Sequence, residues 1–415
     1  MGNCWAIKNN SMSMSVVSNK SDSLLERSRQ PIWLDDMNDI ASELIYDDNS
    51  IALQKSASSK LALMPFISTK SFHVERLLGR GSYAKVFEVT KIDTGEKFAM
   101  KVLKKSKMET DKDVQRLFNE KEIIKNINHP FIIRLHYTFQ NKKKAYFVLD
   151  YLNGGDLYTR ILTMGKLKES HTKFYAAEIV LALECLHKNS IVYRDLKPQN
   201  IIIDSEGHIK LTDFGLSKQD FDENDENSIC GTMKYIAPET ISGKKYNHMA
   251  DWWSLGIIIY RMLTGQLPHP TNVNRRIPYY IVNYAIPIKG DDFTKYSQDL
   301  LQRLLERKPS KRLGANGVDE IKNHKFFRDI NWKRLYKRKV KAPYIPNERS
   351  KLLGVNEKQI EDTPECDLEM EKNNMNDQIF EDFTYPTKPF KLTGEDSLYA
   401  TESTKFKGLD STVKH

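Results

Sequence analysis

The sequence contains no apolar run long enough to cross a bilayer, and it contains few cysteines. A membrane-spanning helix needs about 20 consecutive apolar residues, and no stretch of this chain approaches that length. The four cysteines, at positions 4, 185, 230 and 366, are far apart in sequence and lack the spacing of metal ligands. We therefore expect any membrane attachment to be peripheral, and we expect the cysteines to be reduced, cytoplasmic thiols.

The chain also lacks a recognisable nucleic-acid-binding module, although its net charge is +9. Its basic runs, at 142–144 and 333–339, are short and are more typical of a solvated surface. No nucleic acid is therefore expected as a partner, whereas anionic lipid or an acidic protein stays open. With 40% hydrophobic and 29% charged residues, the composition is typical of a globular chain with a sizeable core. Its 415 residues fit one large domain with extensions or two domains.

Two polar motifs near the middle of the chain indicate phosphoryl transfer. The run Tyr-Arg-Asp-Leu-Lys-Pro-Gln-Asn ends at Asn200, and Asp-Phe-Gly begins at Asp213. Such transfer passes through a loose transition state, so a protein contributes positioning and charge neutralisation. Asp195 is the candidate base, Lys197 is the candidate cation near the phosphoryl oxygens, and Asn200 and Asp213 are candidate magnesium ligands. Each motif alone also fits a solvated turn, and their joint occurrence favours a catalytic site.

A glycine-rich segment further upstream suits phosphate binding. Gly79 and Gly81 lie between apolar runs, and residues without bulky side chains let backbone amides approach phosphates. Ala84 stands where a third glycine is usual, and the same spelling occurs in dinucleotide-binding turns. Residues 86–89 alternate like a returning strand, whereas a dinucleotide-binding fold requires a helix there.

A single lysine interrupts the short apolar strand predicted for residues 97–103. Lys101 is costly to bury without a partner, so we expect it to meet nucleotide phosphates and a carboxylate. The predicted helix of residues 114–124 offers Glu120 and Glu122. Glu120 is favoured because it falls closer to the apolar face of that helix. The alternative for Lys101 is a surface lysine whose stem lies along apolar neighbours.

Together these motifs resemble those of eukaryotic serine/threonine protein kinases of the AGC group. The likeness covers about residues 72–327 and includes several further runs. They are Asn-His-Pro-Phe at 128–131, Cys-Gly-Thr at 230–232, Ala-Pro-Glu at 237–239, Asp-Trp-Trp-Ser-Leu-Gly at 251–256 and Lys-Arg-Leu-Gly at 311–314. The resemblance implies an α+β, two-lobed fold with a mainly β small lobe and a mainly α large lobe. It also implies ATP and magnesium in the cleft, and it aligns Glu120 with the family's lysine-pairing glutamate.

The same resemblance divides the chain into segments. They are a disordered amino-terminal segment with an acylation signal at 1–71, the catalytic domain at 72–327, an AGC tail at 328–392 and a disordered end at 393–415. The tail contains Phe-Glu-Asp-Phe-Thr-Tyr, a hydrophobic motif whose spelling is nearest to the ribosomal-protein kinase branch. Phe380 and Phe383 are expected to dock beside the small-lobe helix and to bias Glu120 toward Lys101.

Further nucleotide contacts are implied by the resemblance alone. The residues expected to contact or position the nucleotide are Gly79, Gly81, Ala84, Val86, Ala99, Lys101, Glu120, Asp150, Leu152 and Asp156. Leu149 is expected to be the gatekeeper, and the backbone of residues 150–152 is expected to be the hinge that meets adenine. A hydrophobic spine is expected from Ile124, Leu135, Tyr193 and Phe214.

Regulation by phosphorylation is also implied. Ser228 matches the activating site and lies in an acidic, polar loop that an added phosphate would order. The cations of the expected phosphate pocket are Arg116, Arg194 and Lys218. Thr384 in the hydrophobic motif and Thr363 in a Thr-Pro pair are further candidate phosphosites. An upstream activating kinase is therefore an expected partner.

The amino terminus, Met-Gly-Asn-Cys-Trp-Ala, indicates membrane attachment. Gly2 can be myristoylated once the methionine is removed, although the pattern favours Ser or Thr where Ala6 stands. One acyl chain binds membranes only marginally, so Cys4 is the expected palmitoylation site that supplies a second signal. We expect a cytoplasmic protein attached peripherally to a membrane, with the inner face of the plasma membrane as the predicted location. The alternative is an unmodified, disordered amino terminus.

Substrate choice is expected to depart from the AGC preference for basic residues before the acceptor. Lys197 marks Ser/Thr rather than Tyr specificity, and Asp156 matches one acidic position of the family's peptide groove. Gln199 and Arg261 stand where the family has two other carboxylates, so attraction for arginine should fall.

Two other functions stay open beside a protein-phosphorylating enzyme. A kinase-fold scaffold without catalysis would be marked by loss of Lys101, Asp195 or Asp213, and all three are present. A nucleotide-dependent oxidoreductase is supported only by the spelling of the glycine-rich segment.

Overall fold

The computed structural model describes residues 67–81, 84–219, 231–243, 247–269, 276–346, 380 and 383–385. All of them belong to one compact unit within residues 56–415. Within the described ranges, no helix has both the length and the apolar character needed to span a membrane.

An antiparallel sheet of five strands and one long helix form the small lobe. The strand order is β1-β2-β3-β5-β4. The strands are β1 (Phe72–Arg80), β2 (Ala84–Lys91), β3 (Lys97–Lys104), β4 (Leu135–Gln140) and β5 (Lys144–Asp150), and the helix is α1 (Asp111–Asn126). Strand β5 has a neighbour on each side and is buried over all but its last residue. Its unbroken apolar run Ala-Tyr-Phe-Val-Leu is typical of such a strand.

Helix α1 begins at a capping box that fixes its orientation. The Thr110 hydroxyl accepts a hydrogen bond from the Asp113 backbone N–H at 3.3 Å, and the Asp113 carboxylate accepts one from the Thr110 N–H at 3.1 Å. Leu117 and Ile124 are buried on the inner face of the helix, and Glu120 is buried with them. The apolar face of α1 therefore directs one carboxylate into the lobe.

Helices make up most of the large lobe. They are α2 (Leu157–Met164), α3 (Glu169–Lys188), α4 (Pro238–Ile241), α5 (Met249–Thr264), α6 (Ile277–Asn283), α7 (Lys295–Leu304), α8 (Asp319–Lys322) and α9 (Trp332–Tyr336). Two short antiparallel pairs join β6 (Ile191–Val192) to β9 (Lys218–Gln219) and β7 (Ile201–Ile203) to β8 (Ile209–Leu211). Helix α5 is almost wholly buried, as its predominantly apolar sequence predicts. The predicted α+β, two-lobed fold is confirmed.

Asp150, at the end of β5, connects the small lobe to the large lobe. Its carboxylate accepts a hydrogen bond from Lys210 Nζ in β8 at 2.6 Å and one from the Arg134 backbone N–H at 3.1 Å. It also lies 2.8 Å from His136 Nε2 in β4. Burial opposes ionisation of Asp150, but these partners outweigh burial and lower its pKa to about 2. A charge-assisted contact therefore spans the two lobes beside the cleft.

The carboxy-terminal aromatic residues dock on the small lobe. Phe380 and Phe383 are fully buried, and their rings lie 6.1 and 5.8 Å from the ring of Phe118 in α1. Tyr385 forms an antiparallel bridge with Thr138 in the edge strand β4, with two backbone hydrogen bonds of 2.8 Å. The tail thus adds to the sheet edge and packs against α1, where the sequence predicted that it would dock.

Candidate active site

Asp195 lies in the loop after β6, and four donors surround its carboxylate. Lys197 Nζ and Asn200 Nδ2 donate to its Oδ2 atom at 2.6 and 3.0 Å. Thr232 donates its backbone N–H and its hydroxyl to Oδ1 at 3.1 and 2.9 Å. Because the residue is only 7% exposed, these hydrogen bonds fix the direction of the carboxylate within the loop.

A buried aspartate of α5 holds the backbone of the same loop. The Asp251 carboxylate accepts hydrogen bonds from the backbone N–H groups of Tyr193 and Arg194, each at 3.0 Å. It also lies 2.8 Å from His187 Nε2. Arg194 has a φ of 68°, which is unfavourable for a residue with a Cβ. The hydrogen bonds to Asp251 provide the constraint that maintains this conformation next to Asp195.

Lys101 lies between two carboxylates. Its Nζ atom is 2.7 Å from Glu120 Oε1 and 3.3 Å from Asp213 Oδ1. Burial disfavours the charge of the lysine, but the two carboxylates outweigh burial and raise its pKa. Glu122, the alternative partner, lies 3.3 Å from Lys125 Nζ instead. The structure therefore brings Glu120 rather than Glu122 to the lysine, and Lys101 is not a surface lysine.

Asp213 connects this lysine to the loop of Asp195. The charge of Lys101, followed by that of Lys197, lowers the pKa of the Asp213 carboxyl against the effect of burial. Thr212, the preceding residue, donates its backbone N–H to the Asn200 carbonyl at 2.9 Å. Asp213 itself has a left-handed φ of 61°. The two groups of charged residues therefore form one continuous site.

Asn200 and Asp213 fit a divalent cation that arrives with a nucleotide. In the part of the chain that the structure describes, no three His, Cys, Asp or Glu residues are grouped so as to hold a metal alone. Magnesium at nucleotide sites takes one or two protein oxygens together with phosphate oxygens and waters. An amide oxygen and a carboxylate beside two lysines match that set of ligands.

The glycine-rich segment forms the hairpin between β1 and β2. Gly79 pairs with Val86 across the hairpin, and the Gly81 N–H donates to the Ala84 carbonyl at 2.7 Å. A Cβ added to Gly79 would meet no atom within 4 Å, so this glycine borders open space rather than a packed core. Residues 86–89 belong to strand β2, which excludes the dinucleotide-binding turn. The tip of the hairpin, residues 82–83, lies outside the described residues.

Apolar residues from neighbouring strands lie next to this hairpin. Ala99 in β3 pairs with Leu149 in β5, and both are 8% exposed. Val86 pairs with Lys101 in the register of β2 and β3. Leu152 follows β5 and is half-buried. The strands therefore present an apolar surface beside Lys101, as an adenine pocket requires.

Asp156 caps a helix. Its Oδ1 atom accepts a hydrogen bond from the Thr159 backbone N–H at 2.6 Å, and it begins α2 as the N-cap residue. Burial raises the pKa of this carboxyl above its ordinary value. The capping bond occupies one oxygen of a side chain that the sequence assigned to ribose or peptide contact.

Comparison with known proteins identifies the family to which this site belongs. The family model for the protein kinase domain matches residues 72–327. The chain belongs to the protein kinase family. Human ribosomal protein S6 kinase alpha-1 is 44% identical over 281 residues, which cover 66% of this chain and 38% of that protein. Ribosomal protein S6 kinase alpha-6 of Danio rerio is 45% identical over 281 residues, with coverage of 66% and 38%.

The kinase chain thus spans less than two fifths of the length of these curated relatives. Its resemblance to AGC-group kinases, and to the ribosomal-protein kinase branch in particular, is confirmed.

The four predicted spine residues of the kinase belong to one core cluster. Ile124, Leu135, Tyr193 and Phe214 are at most 5% exposed. The rings of Tyr193 and Phe214 meet edge to face at 5.2 Å, and the Tyr193 hydroxyl donates to the Thr212 carbonyl. Core packing accounts for these contacts, and it also fixes Phe214 directly after Asp213.

The cations of the predicted phosphate pocket come from adjoining elements. Lys218 belongs to β9, which pairs with β6 and contacts α1, the helix that carries Arg116. Arg194 follows β6, and its Nε donates to the Leu216 carbonyl at 2.6 Å. Arg116 is more than half exposed and lies 3.6 Å from Asp113. The elements that carry these cations therefore adjoin near the start of the segment from Asp213 to Glu239, here called the activation segment.

Several predicted modification sites lie outside the described residues. They are Gly2, Cys4, Ser228 and Thr363. Thr384 is described, and it is half-buried between Phe383 and Tyr385.

Sequence reasoning missed two positioning residues, Thr232 and Asp251. Both belong to runs that serve only as family markers at the level of sequence. Asp251 had a usable signal, because a carboxylate in the apolar helix α5 needs partners just as Lys101 does. Thr232 had none, since its hydrogen bonds to Asp195 cross 37 positions of the chain.

Proposed function

We propose that this protein is an ATP- and magnesium-dependent serine/threonine protein kinase, with protein substrates, of the ribosomal protein S6 kinase type. The observation that supports this best is the joint arrangement of Lys101, Glu120 and Asp213 beside Asp195 and Lys197. Family membership and the identity of the relatives support the same activity.

In this proposal each charged residue of the cleft has its own role in phosphoryl transfer. Asp195 takes the proton of the attacking hydroxyl, and Lys197 neutralises charge on the moving phosphoryl group. Lys101, oriented by Glu120, binds the nucleotide phosphates that do not transfer. Asn200 and Asp213 would hold magnesium, which would supply positive charge beside the phosphate oxygens.

The surrounding strands then position the nucleotide. The hairpin that contains Gly79 and Gly81 covers the phosphates, with Ala84 in place of a third glycine. Adenine lies against the apolar residues and meets the backbone of the segment after β5. The residues assigned to this wall and hinge are Val86, Ala99, Leu149, Asp150 and Leu152. Asp156, which caps α2, lies at the edge that faces ribose or peptide.

A phosphotransfer assay with the full-length protein tests the proposal. With ATP and magnesium, the wild type should phosphorylate a serine peptide, and it should not phosphorylate the matched tyrosine peptide. Asp195→Asn should lose transfer but still bind nucleotide, since Lys101 and Asp213 are intact. Asp93→Asn is the matched control, because Asp93 is exposed and pairs with Lys91 on the outside of the small lobe. Equal transfer by Asp195→Asn and the wild type would contradict the proposed chemistry.

Activation by phosphorylation is the second part of the proposal. A phosphate on Ser228 would bind Arg194, Lys218 and Arg116, whose elements adjoin at the start of the activation segment. Thr384 and Thr363 are the proposed tail sites. An upstream kinase would supply these phosphates. Ser228→Ala should lower transfer activity at least about tenfold after treatment with cell extract and ATP, since an ordered segment is required for substrate access.

Membrane attachment is the third part, and it is supported only by the sequence. Myristate on Gly2 and palmitate on Cys4 would hold this otherwise cytoplasmic kinase at the inner face of the plasma membrane. In fractionated cells, Gly2→Ala should move the kinase to the supernatant, and Cys4→Ser should do so in part. Ala6→Ser is a control that restores the preferred residue of the pattern. Equal membrane recovery of Gly2→Ala and the wild type would exclude acylation at this glycine.

A further inference from the structure

Arg261 is a buried cation that has no carboxylate partner among the described residues. It lies in α5 and is 8% exposed. Its Nη1 atom donates to the Tyr235 hydroxyl at 2.5 Å, and its guanidinium lies 4.5 Å from the centre of the Tyr158 ring. Its Nε is buried and has no hydrogen-bond partner in the ranges that the structure describes. Arg312, buried in the same lobe, forms instead a bidentate pair with Glu239 at 2.7 and 2.9 Å.

The contacts of Arg261 leave its charge only partly compensated. A guanidinium carries five N–H donors, and a carboxylate can accept two of them in parallel. A phenol oxygen and the face of an aromatic ring are neutral, and they stabilise a desolvated cation less than a carboxylate does. Tyr158, which covers one face of the guanidinium, is itself only half-buried. An anion would therefore reach the buried guanidinium from the side of Tyr158.

Tyr235, one neighbour of Arg261, is connected through hydrogen bonds to the Asp195 carboxylate. The Tyr235 backbone N–H donates to the Thr232 carbonyl at 2.9 Å, and Thr232 in turn donates twice to Asp195. Tyr235 is also held by Ser254 of α5, whose hydroxyl donates to its carbonyl at 2.8 Å. The guanidinium is thus anchored to the same segment that fixes the base.

Tyr158, the other neighbour of Arg261, lies on a helix that contacts the opposite side of the Asp195 loop. Tyr158 belongs to α2, which packs against the turn Pro198–Asn200. Within that turn, the Gln199 amide oxygen is buried and has no hydrogen-bond partner in the described part of the chain. Two unsatisfied polar side chains therefore flank the loop of Asp195, one a cationic donor and the other a neutral acceptor.

We propose that Arg261 binds a carboxylate of the protein substrate, so that this kinase selects an acidic residue near its acceptor serine or threonine. This inference rests on the proposed protein kinase function and specifies its substrate class. A carboxylate would complete the hydrogen bonding of the guanidinium, whereas a lysine or arginine at the same place would be repelled. Gln199 adds no charge that could restore a preference for basic residues.

A peptide series with one acceptor serine tests the inference. Each position around the serine carries Glu in one peptide and Gln in its partner, so that only charge differs. For the full-length wild type, kcat/KM should favour Glu by about tenfold or more at one position, as expected for a charge-assisted bidentate contact. Arg261→Gln should bring that ratio close to one, and Arg261→Glu should favour Lys over Glu at the same position.

Arg303→Gln is the matched control, because Arg303 is more than half exposed and pairs with Asp299. It should keep the wild-type ratio. If the wild type phosphorylates serine peptides with no preference for Glu at any position, the inference is overturned and the proposed function is left intact. The same holds if the preference for Glu persists in Arg261→Gln. Absence of transfer to every peptide would instead contradict the proposed function. If Arg261→Gln and Arg261→Glu do not fold, Arg261→Lys keeps the charge but loses the bidentate contact, so its preference for Glu should fall below that of the wild type, and an unchanged preference would overturn the inference.

Discussion

Lys101 illustrates how single residues in this site depend on partners from different elements. Glu120 reaches it from α1, and Asp213 reaches it from the loop after β8. Each carboxylate stabilises the lysine charge, and the lysine in turn keeps the two carboxylates from repelling each other. A substitution at this position therefore removes a cation and leaves two like charges close together.

Lys101→Met should lower kcat/KM for peptide phosphorylation by at least about 100-fold, because the proposed contact to the nucleotide phosphates would be lost. Steady-state kinetics with varied ATP measures the change. Lys97→Met is the control, since Lys97 is half-exposed and pairs with Glu88 on the outer part of the sheet. A Lys101→Met enzyme with activity similar to Lys97→Met would show that the lysine does not contact nucleotide.

His129 should make the stability of the protein depend on pH. Burial lowers its pKa to about 4, and its Nδ1 accepts a hydrogen bond from the Phe131 backbone N–H at 3.2 Å. The unfolded chain therefore binds a proton at higher pH than the folded chain, so stability is lost as pH falls from about 6.5 toward 4. Between pH 7 and pH 5 this residue should account for about 2 kcal/mol of that loss.

Urea unfolding of His129→Asn at both pH values measures this contribution. The Asn oxygen can still accept the Phe131 N–H, but it does not titrate in this range, so the pH dependence should shrink by that amount. His73→Asn, at an exposed position, should retain the wild-type dependence. An unchanged dependence in His129→Asn would exclude this histidine as its source.

The sequence predicted the partners of individual residues well where a single charged residue interrupted an apolar pattern. Lys101 and Glu120 were predictable because burial obliges an ionised group to find a partner on a helix or strand face. The surroundings of Arg261 were not, since Tyr158 and Tyr235 come from distant parts of the chain. The capping role of Asp156 had a usable signal, since Asp is a preferred N-cap residue, whereas the family resemblance indicated only a ligand contact there.

At the scale of elements, Arg312 joins parts of the large lobe that are distant in sequence. Its guanidinium donates to both carboxylate oxygens of Glu239 in α4 and to the Met249 carbonyl at the start of α5. It also donates to the Glu306 carbonyl after α7. One side chain thereby joins α4, the first turn of α5 and the segment after α7.

Arg312→Met should reduce the free energy of unfolding by about 3–5 kcal/mol, because the buried Glu239 carboxylate is left without its cation. Chemical denaturation measures the loss. Arg303→Gln, which breaks an exposed pair of α7, should cost less than about 1 kcal/mol. Similar small losses for the two variants would mean that Glu239 finds another donor or becomes protonated.

Phe383 shows how an element outside the catalytic domain supports α1. Its ring lies 5.3 Å from Phe147 of β5 and 5.8 Å from Phe118 of α1. Phe383→Ala should release the tail and lower kcat several-fold, since α1 carries Glu120. Phe383→Leu, which keeps an apolar side chain, should retain most activity. Limited proteolysis of the tail and peptide kinetics test both changes, and full activity of Phe383→Ala would contradict the link to Glu120.

At the scale of the whole molecule, the ion pair of Asp150 with Lys210 connects the small lobe to the large lobe. Asp150→Asn should cost about 2 kcal/mol in the free energy of unfolding at pH 7, because the depressed pKa of the carboxyl is lost. Asp292→Asn is the comparison, since its pair with Lys166 is exposed and should contribute less than about 1 kcal/mol. Denaturant titration distinguishes them. Equal losses would show that the contact between lobes has no more effect than a surface pair.

The arrangement of lobes was predictable through the family resemblance, because the paired motifs occur in a fixed order along the chain. The ion pair between Asp150 and Lys210 was not predictable, since no sequence pattern connects the end of a strand with a lysine 60 positions away. The edge pairing of Tyr385 with Thr138 likewise depends on where a long tail returns to the sheet, which local preferences do not specify.

The anchoring of the Asp195 loop by Asp251 has a consequence for turnover. The large lobe also contains the donors to Asp195, which are Lys197, Asn200 and Thr232. The small lobe contains the hairpin, Lys101 and Glu120. Opening of the cleft would therefore break the contact of Lys101 with Asp213 and leave the Lys101–Glu120 pair and the hydrogen bonds around Asp195 intact. In the proposed kinase, closure of the lobes would have to re-form that one contact of the site in every catalytic cycle.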